Sequence, residues 1–377
     1  MTTIENISAR INAMGGELFL VGGAVRDKIM GEIPHDHDFV VVGISESDFD
    51  SEFGHPARTG KLFPVFRMKA VVDGVEEGIE LALARKEEKV SEGHNGFSMV
   101  FSKDITIEED LIRRDVTMNA MAISMADGRL VDPFGGKADI EAGIIRATSK
   151  HFSEDPLRVL RVARQAAKFS FSVSSDTQEL MFSCKGELST LPFARIWVEM
   201  EKALGTKRPS AFFEVLRAAK VLDAVLPEMD DNIFGCTMRV LDTVSAETDS
   251  LEARFAAVFH AVGADVIEQF DSQRFPAALR KAALAVSRNF EKAAAAGIVP
   301  GDILDILVDI RRSGCSLSTM RSIVRAAGGQ TDFLQDDFAG AVMSRVPIPD
   351  DIATCGDGCR IADFVRQARI DRIRRIS

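Results

Sequence analysis

A pair of glycines between an apolar run and a short helix, followed closely by two aspartates, constrains this chain more than any other feature. Residues 18–21 predict a short strand, Gly22-Gly23 a turn and residues 24–30 a helix. A second strand is expected to start near His35 and to run through Val42. Backbone N–H groups at the start of a helix, with the positive end of its dipole, favour a bound phosphate. The segment therefore predicts a phosphate-binding turn between two strands.

The two aspartates, Asp36 and Asp38, are spaced for one face of that second strand. Strand side chains repeat every second residue, which would place these carboxylates about 6.6 Å apart along it. Two such carboxylates can share divalent ions whose other ligands are substrate phosphates, and Mg²⁺ is the ion expected here. Each half of the signal is common by itself, because Asp-x-Asp pairs are often solvated and Gly-Gly is often only a turn. Their order and spacing resemble the nucleotidyltransferase superfamily, which includes DNA polymerase beta, poly(A) polymerase and the CCA-adding enzymes.

Composition bounds the class of protein. A chain of 377 residues is too long for one ordinary core and predicts at least two domains. With 46% hydrophobic and 27% charged residues, and no apolar stretch of the ~18 residues that cross a bilayer, it is expected to be globular, with no membrane partner. No export signal is visible and the five cysteines are scattered, so a reducing, cytoplasmic location is expected. The net charge of −11 argues against nonspecific nucleic-acid binding over the whole surface.

Two features near the C-terminus stay open. Six arginines crowd the last eighteen residues: Arg360, Arg366, Arg369, Arg372, Arg374 and Arg375. They are equally compatible with a solvated helix face and with a local path for nucleic acid. Cys355 and Cys359 could begin a zinc site, but no second Cys or His pair accompanies them. Two ordinary thiols are the favoured interpretation.

The chain changes in character near Asp139. Before it, short β-rich runs alternate with Gly and Pro, which predicts a mixed sheet with few helices. The strands are expected at 18–21, 39–42, 65–72, 79–84 and 121–124. After it, apolar residues recur at three- and four-residue spacing, so almost all of the rest is expected to be helical. The predicted fold class is α+β. The charged segment 86–96 is predicted to be an exposed loop beside the site, and a plain linker is its simplest interpretation.

Glu80 is the candidate for a third carboxylate. It lies in a strand-like run whose alternate residues, Leu81 and Leu83, are apolar. Glu80 could point to solvent, or it could complete an acidic cluster with Asp36 and Asp38. Such a cluster could hold two metal ions ~3.5–4 Å apart for an in-line displacement.

Arg113 and Arg114 precede another apolar run. Because arginine matches phosphate oxygens with two parallel hydrogen bonds, one of them, together with Arg26, could contact a triphosphate. A surface pair neutralised by Asp110 and Asp115 is equally compatible with the spacing.

Residues 154–164 are the most discriminating stretch after the opening motif. Asp155 before Pro156 predicts a helix start. Three arginines, Arg158, Arg161 and Arg164, then recur every third residue along one side, where they repel one another unless an anion is present. A solvated arginine row is the alternative.

Base chemistry suggests a sharper role for Asp155 and Arg158. Cytosine and adenine both present an amino donor next to a ring-nitrogen acceptor, whereas uracil and guanine present the reverse. A carboxylate and a guanidinium would therefore accept C and A, and buried polar groups left unpaired make the rejection of U and G strong.

These motifs together resemble the class II tRNA nucleotidyltransferases of bacteria, most closely the enterobacterial CCA-adding type, over residues 18–226. The resemblance implies a polymerase-beta-like catalytic head (1–138), then a helical base-reading neck (139–206), a body (207–290) and a tRNA-binding tail (291–377). It also implies nucleotide contacts from the glycine turn and a set of arginines: Gly22, Gly23, Arg26, Arg114, Arg158, Arg161 and Arg164. The loop after Arg85 is kept, which favours addition of the whole CCA.

The chain also departs from that family. Enterobacterial relatives carry a C-terminal phosphohydrolase domain with a His-Asp metal pair, and the matching place here is His260-Ala261. Cys236 stands where an upstream histidine is expected, so the second activity is predicted to be lost. Ala194 replaces an acidic residue that supports base reading in the family. Residues ahead of the first strand predict an additional small helix.

The predicted function is template-independent addition of CCA to the acceptor stem and 3′ end of tRNA with CTP, ATP and Mg²⁺. An A-adding enzyme, a poly(A) polymerase and an inactive RNA-binding relative are the alternatives. A metal phosphohydrolase is disfavoured by Ala261.

Overall fold

The computed structural model describes residues 2–54, 56–59, 65–89, 97–226, 229–269, 275–354 and 357–376. They fall into two compact units. The first unit comprises residues 1–191 and 215–224, and the second comprises 192–214 and 225–377. The first unit thus joins the predicted head with most of the predicted neck, while the finer division into four parts stays a prediction.

All strands of the described residues lie in the first unit. They are β1 Glu17–Val21, β2 Asp38–Val42, β3 Ala57–Thr59, β4 Val65–Val72, β5 Val75–Leu83, β6 Arg85–Lys89, β7 Phe97–Phe101, β8 Ala122–Ser124, β9 Leu130–Val131, β10 Ile144–Ile145 and β11 Ser172–Val173. Seven of them form one sheet in the order β3-β4-β5-β2-β1-β8-β9. Its only parallel pair among the described strands is β2 with β5, so the predicted mixed sheet is confirmed.

The helices begin ahead of the first strand and dominate the chain after the sheet. They are α1 Ile4–Ala13, α2 Gly23–Met30, α3 Glu46–Phe53, α4 Ile107–Leu111, α5 Gly136–Ala142, α6 Leu157–Phe169, α7 Ser175–Ser183, α8 Lys185–Leu188, α9 Phe193–Leu204, α10 Ser210–Ala218, α11 Asp231–Glu247, α12 Leu251–Phe259, α13 Ala264–Gln269, α14 Ala277–Ala294, α15 Pro300–Ser313, α16 Leu317–Ala326, α17 Asp336–Met343, α18 Asp350–Ala353 and α19 Gly358–Ile376. The predictions that the chain after Asp139 is almost entirely helical and that a small helix precedes β1 are confirmed. In the described ranges, no helix is both long and apolar enough to cross a membrane.

The glycine turn forms between β1 and α2 as the sequence predicts. Gly22 has φ +70°, a conformation that side chains with a Cβ rarely adopt, and α2 ends at Gly31 in the left-handed region. The backbone of Val21 pairs with that of Asp38 on the neighbouring strand. The sheet therefore places the start of the glycine turn directly beside an aspartate of the acidic pair.

The second strand begins at Asp38 and not near His35, which corrects the prediction. The preceding segment is held by a side chain: the His37 imidazole is buried, and its Nδ1 lies 2.6 Å from the Glu77 carboxylate. Exposure still alternates, because Asp36 and Asp38 are exposed on either side of His37.

The predicted loop at 86–96 is wrong for its first part. Residues 85–89 form β6, which pairs antiparallel with β7. The partner run Phe97–Phe101 is rich in residues that favour strands. Residues 85–89 are all charged, and for that reason the sequence does not suggest that they form the other strand of the pair. Residues 90–96 lie outside the described residues.

Candidate active site

A strongly cationic cleft of about 430 Å³ opens in the first unit beside the glycine turn. Its lining includes Gly22 and Gly23, seven cationic side chains and three carboxylates. The cations are Arg26, Arg113, Arg114, Arg158, Arg161, Arg164 and Lys168, and the carboxylates are Asp38, Asp115 and Asp155. In a chain of net charge −11, this local excess of positive charge fits an anionic ligand.

The glycine turn allows an arginine to approach the backbone closely. A Cβ built on Gly22 would lie 3.0 Å from Nη1 of Arg114, and one on Gly23 would lie 3.3 Å from Nη2 of Arg26. A side chain at either position would therefore have to move the neighbouring guanidinium by a few tenths of an ångström, and position 22 also favours glycine because of its positive φ.

Asp38 brings a carboxylate to this cleft. Its side chain is exposed, but the surrounding protein displaces enough water to raise the pKa of its carboxyl. The neighbouring carboxylates of Glu80 and Asp36 raise that pKa further, while Arg114 lowers it. Asp38 is therefore an acid surrounded by like charges, a setting in which a bound cation would relieve repulsion.

Glu80 lies where the prediction expects it, but it is already paired. Its backbone is in register with Asp38 across the parallel pair β2 and β5. Its carboxylate accepts hydrogen bonds from Arg67 on β4, from Nε at 2.9 Å and Nη2 at 2.7 Å. Neither Glu80 nor Asp36 lines the cleft.

Within the described ranges, no three Asp, Glu, His or Cys side chains converge as a metal site. The three candidate carboxylates thus do not form a closed cluster as placed here. Because Mg²⁺ is usually held by one or two carboxylates plus substrate phosphates, the crowded Asp36 and Asp38 pair still fits a divalent ion.

Arg113 and Arg114 are held by one buried acid. The fully buried Asp110 accepts from Nη2 of Arg113 at 2.7 Å and from Nη2 of Arg114 at 3.3 Å. Burial acts to raise the pKa of the Asp110 carboxyl, but the two guanidinium groups hold it below its ordinary value. Of the two acids that the alternative of a neutralised pair invokes, Asp110 contacts both arginines, whereas Asp115 pairs with Arg161 at 2.8 Å.

Helix α6 presents the arginine row to the cleft. It begins at Leu157, one residue later than predicted, and the Asp155 carboxylate accepts from the Leu157 N–H at 3.0 Å. Arg158 is buried and donates to the backbone carbonyl of His151, so it is not part of a solvated row. The backbone thus orients both Asp155 and Arg158 at the cleft wall.

A buried polar network that the sequence reasoning missed connects this helix to the glycine turn. Asn119 accepts from Nη1 of Arg26 at 2.7 Å and donates to Asp115 at 3.0 Å and to Gln165 at 3.1 Å. Burial acts to raise the pKa of Asp115, but its pairing with Arg161 and the bond from Asn119 hold it below the ordinary value.

Two more cleft residues were missed at the end of α6. Phe169 lies between cations, with its ring centroid 4.7 Å from the Arg26 guanidinium and 4.9 Å from Nζ of Lys168. Burial and the nearby Arg26 charge lower the pKa of Lys168. Arg158, Arg161, Gln165 and Lys168 follow one another at three- and four-residue spacing along one face of the helix. This helical spacing could have identified Gln165 and Lys168 as cleft residues from the sequence.

The region aligned with the predicted lost phosphohydrolase lies in the second unit. His260 is buried beside Cys236 and Arg239 in a cavity of about 460 Å³. Its Nδ1 donates to the Ala257 carbonyl at 2.7 Å, and burial lowers its pKa. The lost activity stays a prediction. Of the two cysteines near the C-terminus, Cys359 is exposed and Cys355 lies outside the described residues, so the favoured interpretation as ordinary thiols stays a prediction.

Comparison with known proteins places these features in a family. Residues 18–146 match the family described as Poly A polymerase head domain, and residues 170–233 match a Probable RNA and SrmB-binding site of polymerase A. The multifunctional CCA protein of Vibrio campbellii is 44% identical over 270 residues, covering 66% of this chain and 64% of that protein. The multifunctional CCA protein of Nitrosococcus oceani is 41% identical over 264 residues, covering 66% of this chain and 63% of that protein.

A solved structure extends the likeness to the fold. The CCA-adding enzyme of Thermotoga maritima complexed with tRNA_CCA superposes with a TM-score of 0.65 at 20% identity, covering 98% of this chain and 90% of that one. This likeness confirms the predicted α+β fold.

The glycine turn and the acidic strand lie within the matched Poly A polymerase head domain, residues 18–146, a nucleotidyltransferase domain that implies use of a divalent metal. Over about two thirds of its length, the chain is similar to the bacterial multifunctional CCA proteins. The chain spans less than two thirds of the length of the two curated relatives.

Proposed function

We propose that this protein is an enzyme that adds C, C and A to the 3′ end of tRNA, using CTP and ATP and releasing pyrophosphate. One observation carries the proposal: a single cleft joins an acidic strand end, a set of phosphate-matching arginines and a fixed Asp155–Arg158 pair. An adenosine- or cytidine-specific nucleotidyl transfer needs all three.

The acidic side of the cleft supports the transfer chemistry. Asp36 and Asp38 would hold Mg²⁺, with Glu80 as the third carboxylate of the group. The chemistry that bound Mg²⁺ supplies is activation of the terminal hydroxyl and stabilisation of the departing pyrophosphate. Burial and neighbouring carboxylates raise the pKa of Asp38, so a cation next to it would stabilise the ionised carboxylate.

The cationic side supports triphosphate binding. Arg26, Arg114, Arg161 and Arg164 would contact phosphate oxygens beside the Gly22-Gly23 turn. Several are held in place by buried partners, such as Asp110 for Arg114 and Asn119 for Arg26. Arginines fixed before binding lose less side-chain entropy when the ligand arrives. Lys168 adds a further cation at the same wall.

Base selection is assigned to Asp155 and Arg158. The Asp155 carboxylate would accept from the exocyclic amine of C or A, and the Arg158 guanidinium would donate to the adjacent ring nitrogen. The Asp155 carboxylate is anchored to the N–H of Leu157 at the helix start, and the Arg158 guanidinium to the carbonyl of His151 ahead of the helix, which keeps the acceptor and the donor at fixed positions. A template strand is then unnecessary.

The rest of the chain would hold the RNA in position. The protein would act in the cytoplasm. The four-part division into head, neck, body and tail belongs to this proposal, with the acceptor stem held by the body and tail. Helix α19 carries the six C-terminal arginines, which suit a phosphate backbone.

A nucleotide-addition assay on three tRNA transcripts tests the proposal. The transcripts end at the discriminator base, after C and after CC, and each receives labelled CTP or ATP with Mg²⁺. We expect completion of CCA on all three and its loss in Asp36→Ala, while Glu141→Gln on the exposed face of α5 retains it. Extension of only the CC-ended transcript would indicate an A-adding enzyme, and long A tails on unrelated RNA a poly(A) polymerase. No addition at all would overturn the enzymatic proposal in favour of an RNA-binding relative.

A further inference from the structure

Three charged side chains form a row at one level across the sheet. Asp38 on β2 is in register with Glu80 on β5, and Glu80 is in register with Arg67 on β4. Directly opposed residues on neighbouring strands lie on the same face, with Cβ atoms ~4.5–5.5 Å apart. From the cleft outward, the row therefore consists of the acids Asp38 and Glu80 and the base Arg67.

Arg67 engages Glu80 through one oxygen only. Both Nε and Nη2 of Arg67 donate to Oε1 of Glu80, at 2.9 and 2.7 Å. No other hydrogen bond or ion pair to the Glu80 carboxylate occurs among the described residues. The pair thus fixes the carboxylate while leaving Oε2 without such a contact from the described part of the chain.

The hairpin does not need this pair for its stability. The side chains are 59% and 42% exposed, and exposed ion pairs contribute little. Strands β4 and β5 are also paired along eight consecutive residue pairs, from Val65 with Ala82 to Val72 with Val75. Displacing Arg67 from Glu80 would therefore lower the stability of the fold only slightly.

Arg67 differs from Arg114, another cation that acts on this acidic group. Arg114 lines the cleft and lowers the pKa of Asp38 from that side. Arg67 does not line the cleft and meets the acidic row from the next strand outward. Its contact is with Glu80, so it acts on the group through that carboxylate.

We infer that Arg67 is a positioning residue that occupies Glu80 in place of a metal ion and keeps the affinity of the acidic group for free divalent ions low. This inference rests on the proposed function of Asp36, Asp38 and Glu80. The three carboxylates carry a charge of about −3 together, and the guanidinium reduces it by one unit. A divalent ion that arrives with a nucleoside triphosphate brings its own phosphate ligands, so it depends less on Glu80 than a free ion does. Arg67 therefore favours metal that arrives with nucleotide.

Equilibrium binding of Mn²⁺ to the full chain, without RNA or nucleotide, tests the inference. Free Mn²⁺ is followed by electron paramagnetic resonance for the wild type, Arg67→Met and Arg67→Lys. Arg67→Met is expected to bind about three- to tenfold more tightly than the wild type, because it removes a nearby positive charge, whereas Arg67→Lys retains the charge and stays close to the wild type. Adding Asp38→Asn to Arg67→Met is expected to abolish the gain.

Arg10→Met is the matched control. Arg10 is also a half-exposed arginine of the first unit, paired with Glu52 at 2.7 Å, with side-chain exposures of 42% and 38%. It is expected to leave Mn²⁺ binding unchanged. Thermal unfolding of each variant confirms that the fold is retained.

Equal or weaker Mn²⁺ binding by Arg67→Met would overturn the inference, and so would a gain that persists with Asp38→Asn. An absence of measurable binding in every variant would overturn it as well. Nucleotide addition by the wild type, measured separately, decides the proposed function whatever Mn²⁺ binding shows, so the two failures can be told apart.

Discussion

Two buried arginines, Arg26 in the first unit and Arg254 in the second, have the same chemistry and different surroundings. Arg254 is 3% exposed and donates mostly to backbone carbonyls. Its acceptors are the carbonyls of Leu204, Thr206, Ser245 and Thr248 and the carboxylate of Asp249. Arg26 is 8% exposed, but its partners are Asp27, Asn119 and the ring of Phe169, and it lines the cleft.

This difference separates a structural cation from one available to a ligand. Carbonyl acceptors from several chain segments hold Arg254 as a connector within the second unit, and its removal would leave them unpaired. The partners of Arg26 are side chains that belong to a network along the cleft wall. Burial of an arginine therefore does not identify its role, whereas the nature of its partners does.

The largest effect on the cleft side is expected from Asp38→Asn. Loss of a metal-binding carboxylate should remove about 4 kcal/mol of transition-state stabilisation, roughly a thousandfold in rate. The melting temperature should stay the same or rise, because the lost charge is one that burial and like charges disfavour. Single-turnover addition of CMP measures the rate. A variant within tenfold of the wild type would remove Asp38 from the mechanism.

Arg254→Met is the corresponding change in the second unit. It should lower the free energy of unfolding by about 3 kcal/mol, because several buried carbonyls lose their donor. Denaturant unfolding measures this loss, and Arg239→Met, on an exposed arginine of the same unit, is the control. A loss below about 1 kcal/mol would contradict the structural role of Arg254.

Gly22→Ala separates backbone strain from loss of the site. The positive φ of Gly22 should cost about 1–2 kcal/mol of stability, and the new Cβ should displace Arg114 and raise the KM for CTP about tenfold. Gly74 is the matched control, since its φ is +84° but nothing lies within 4 Å of an added Cβ. Gly74→Ala should lose similar stability and keep its KM. Equal KM changes in both variants would contradict the close contact with Arg114.

The smallest effect concerns pH. The pKa of Asp115 is lower in the folded protein than in the unfolded chain, so the unfolded chain takes up the proton first as the pH falls. The stability contributed by Asp115 is present above about pH 4 and is lost as the pH falls toward its depressed folded value. Asp115→Asn should therefore make the melting temperature fall less steeply as the pH is lowered through the acid range. Parallel curves for variant and wild type would show that Asp115 does not contribute.

Local signals were sufficient for the parts of the site that one short segment encodes. The glycine turn needs only Gly22 and its positive φ, and the strand at 65–72 follows from its composition. Pairings between distant segments were not predictable in this way. Asp115 and Arg161 are 46 residues apart, as are Asn119 and Gln165, and no local pattern records which partner each selects.

Glu80 illustrates the same limit within the acidic group. Its alternation with Leu81 and Leu83 predicted that Glu80 lies on the face opposite to the two leucines, whereas its register with Asp38 is a finding of the structure. Arg67, which pairs with it, lies across a hairpin on a strand whose register a single sequence does not reveal. The sequence therefore identified several residues that line the cleft, but not the ion pairs that balance their charges.

Binding of the four nucleoside triphosphates in the absence of RNA tests the central claim most directly, that the cleft of the first unit selects CTP and ATP through Asp155 and Arg158. Isothermal titration should show CTP and ATP binding at least about tenfold more tightly than UTP and GTP. Arg158→Met should remove this preference, and Arg239→Met should retain it. Equal binding of all four nucleotides by the wild type, or a preference that survives Arg158→Met, would contradict the account.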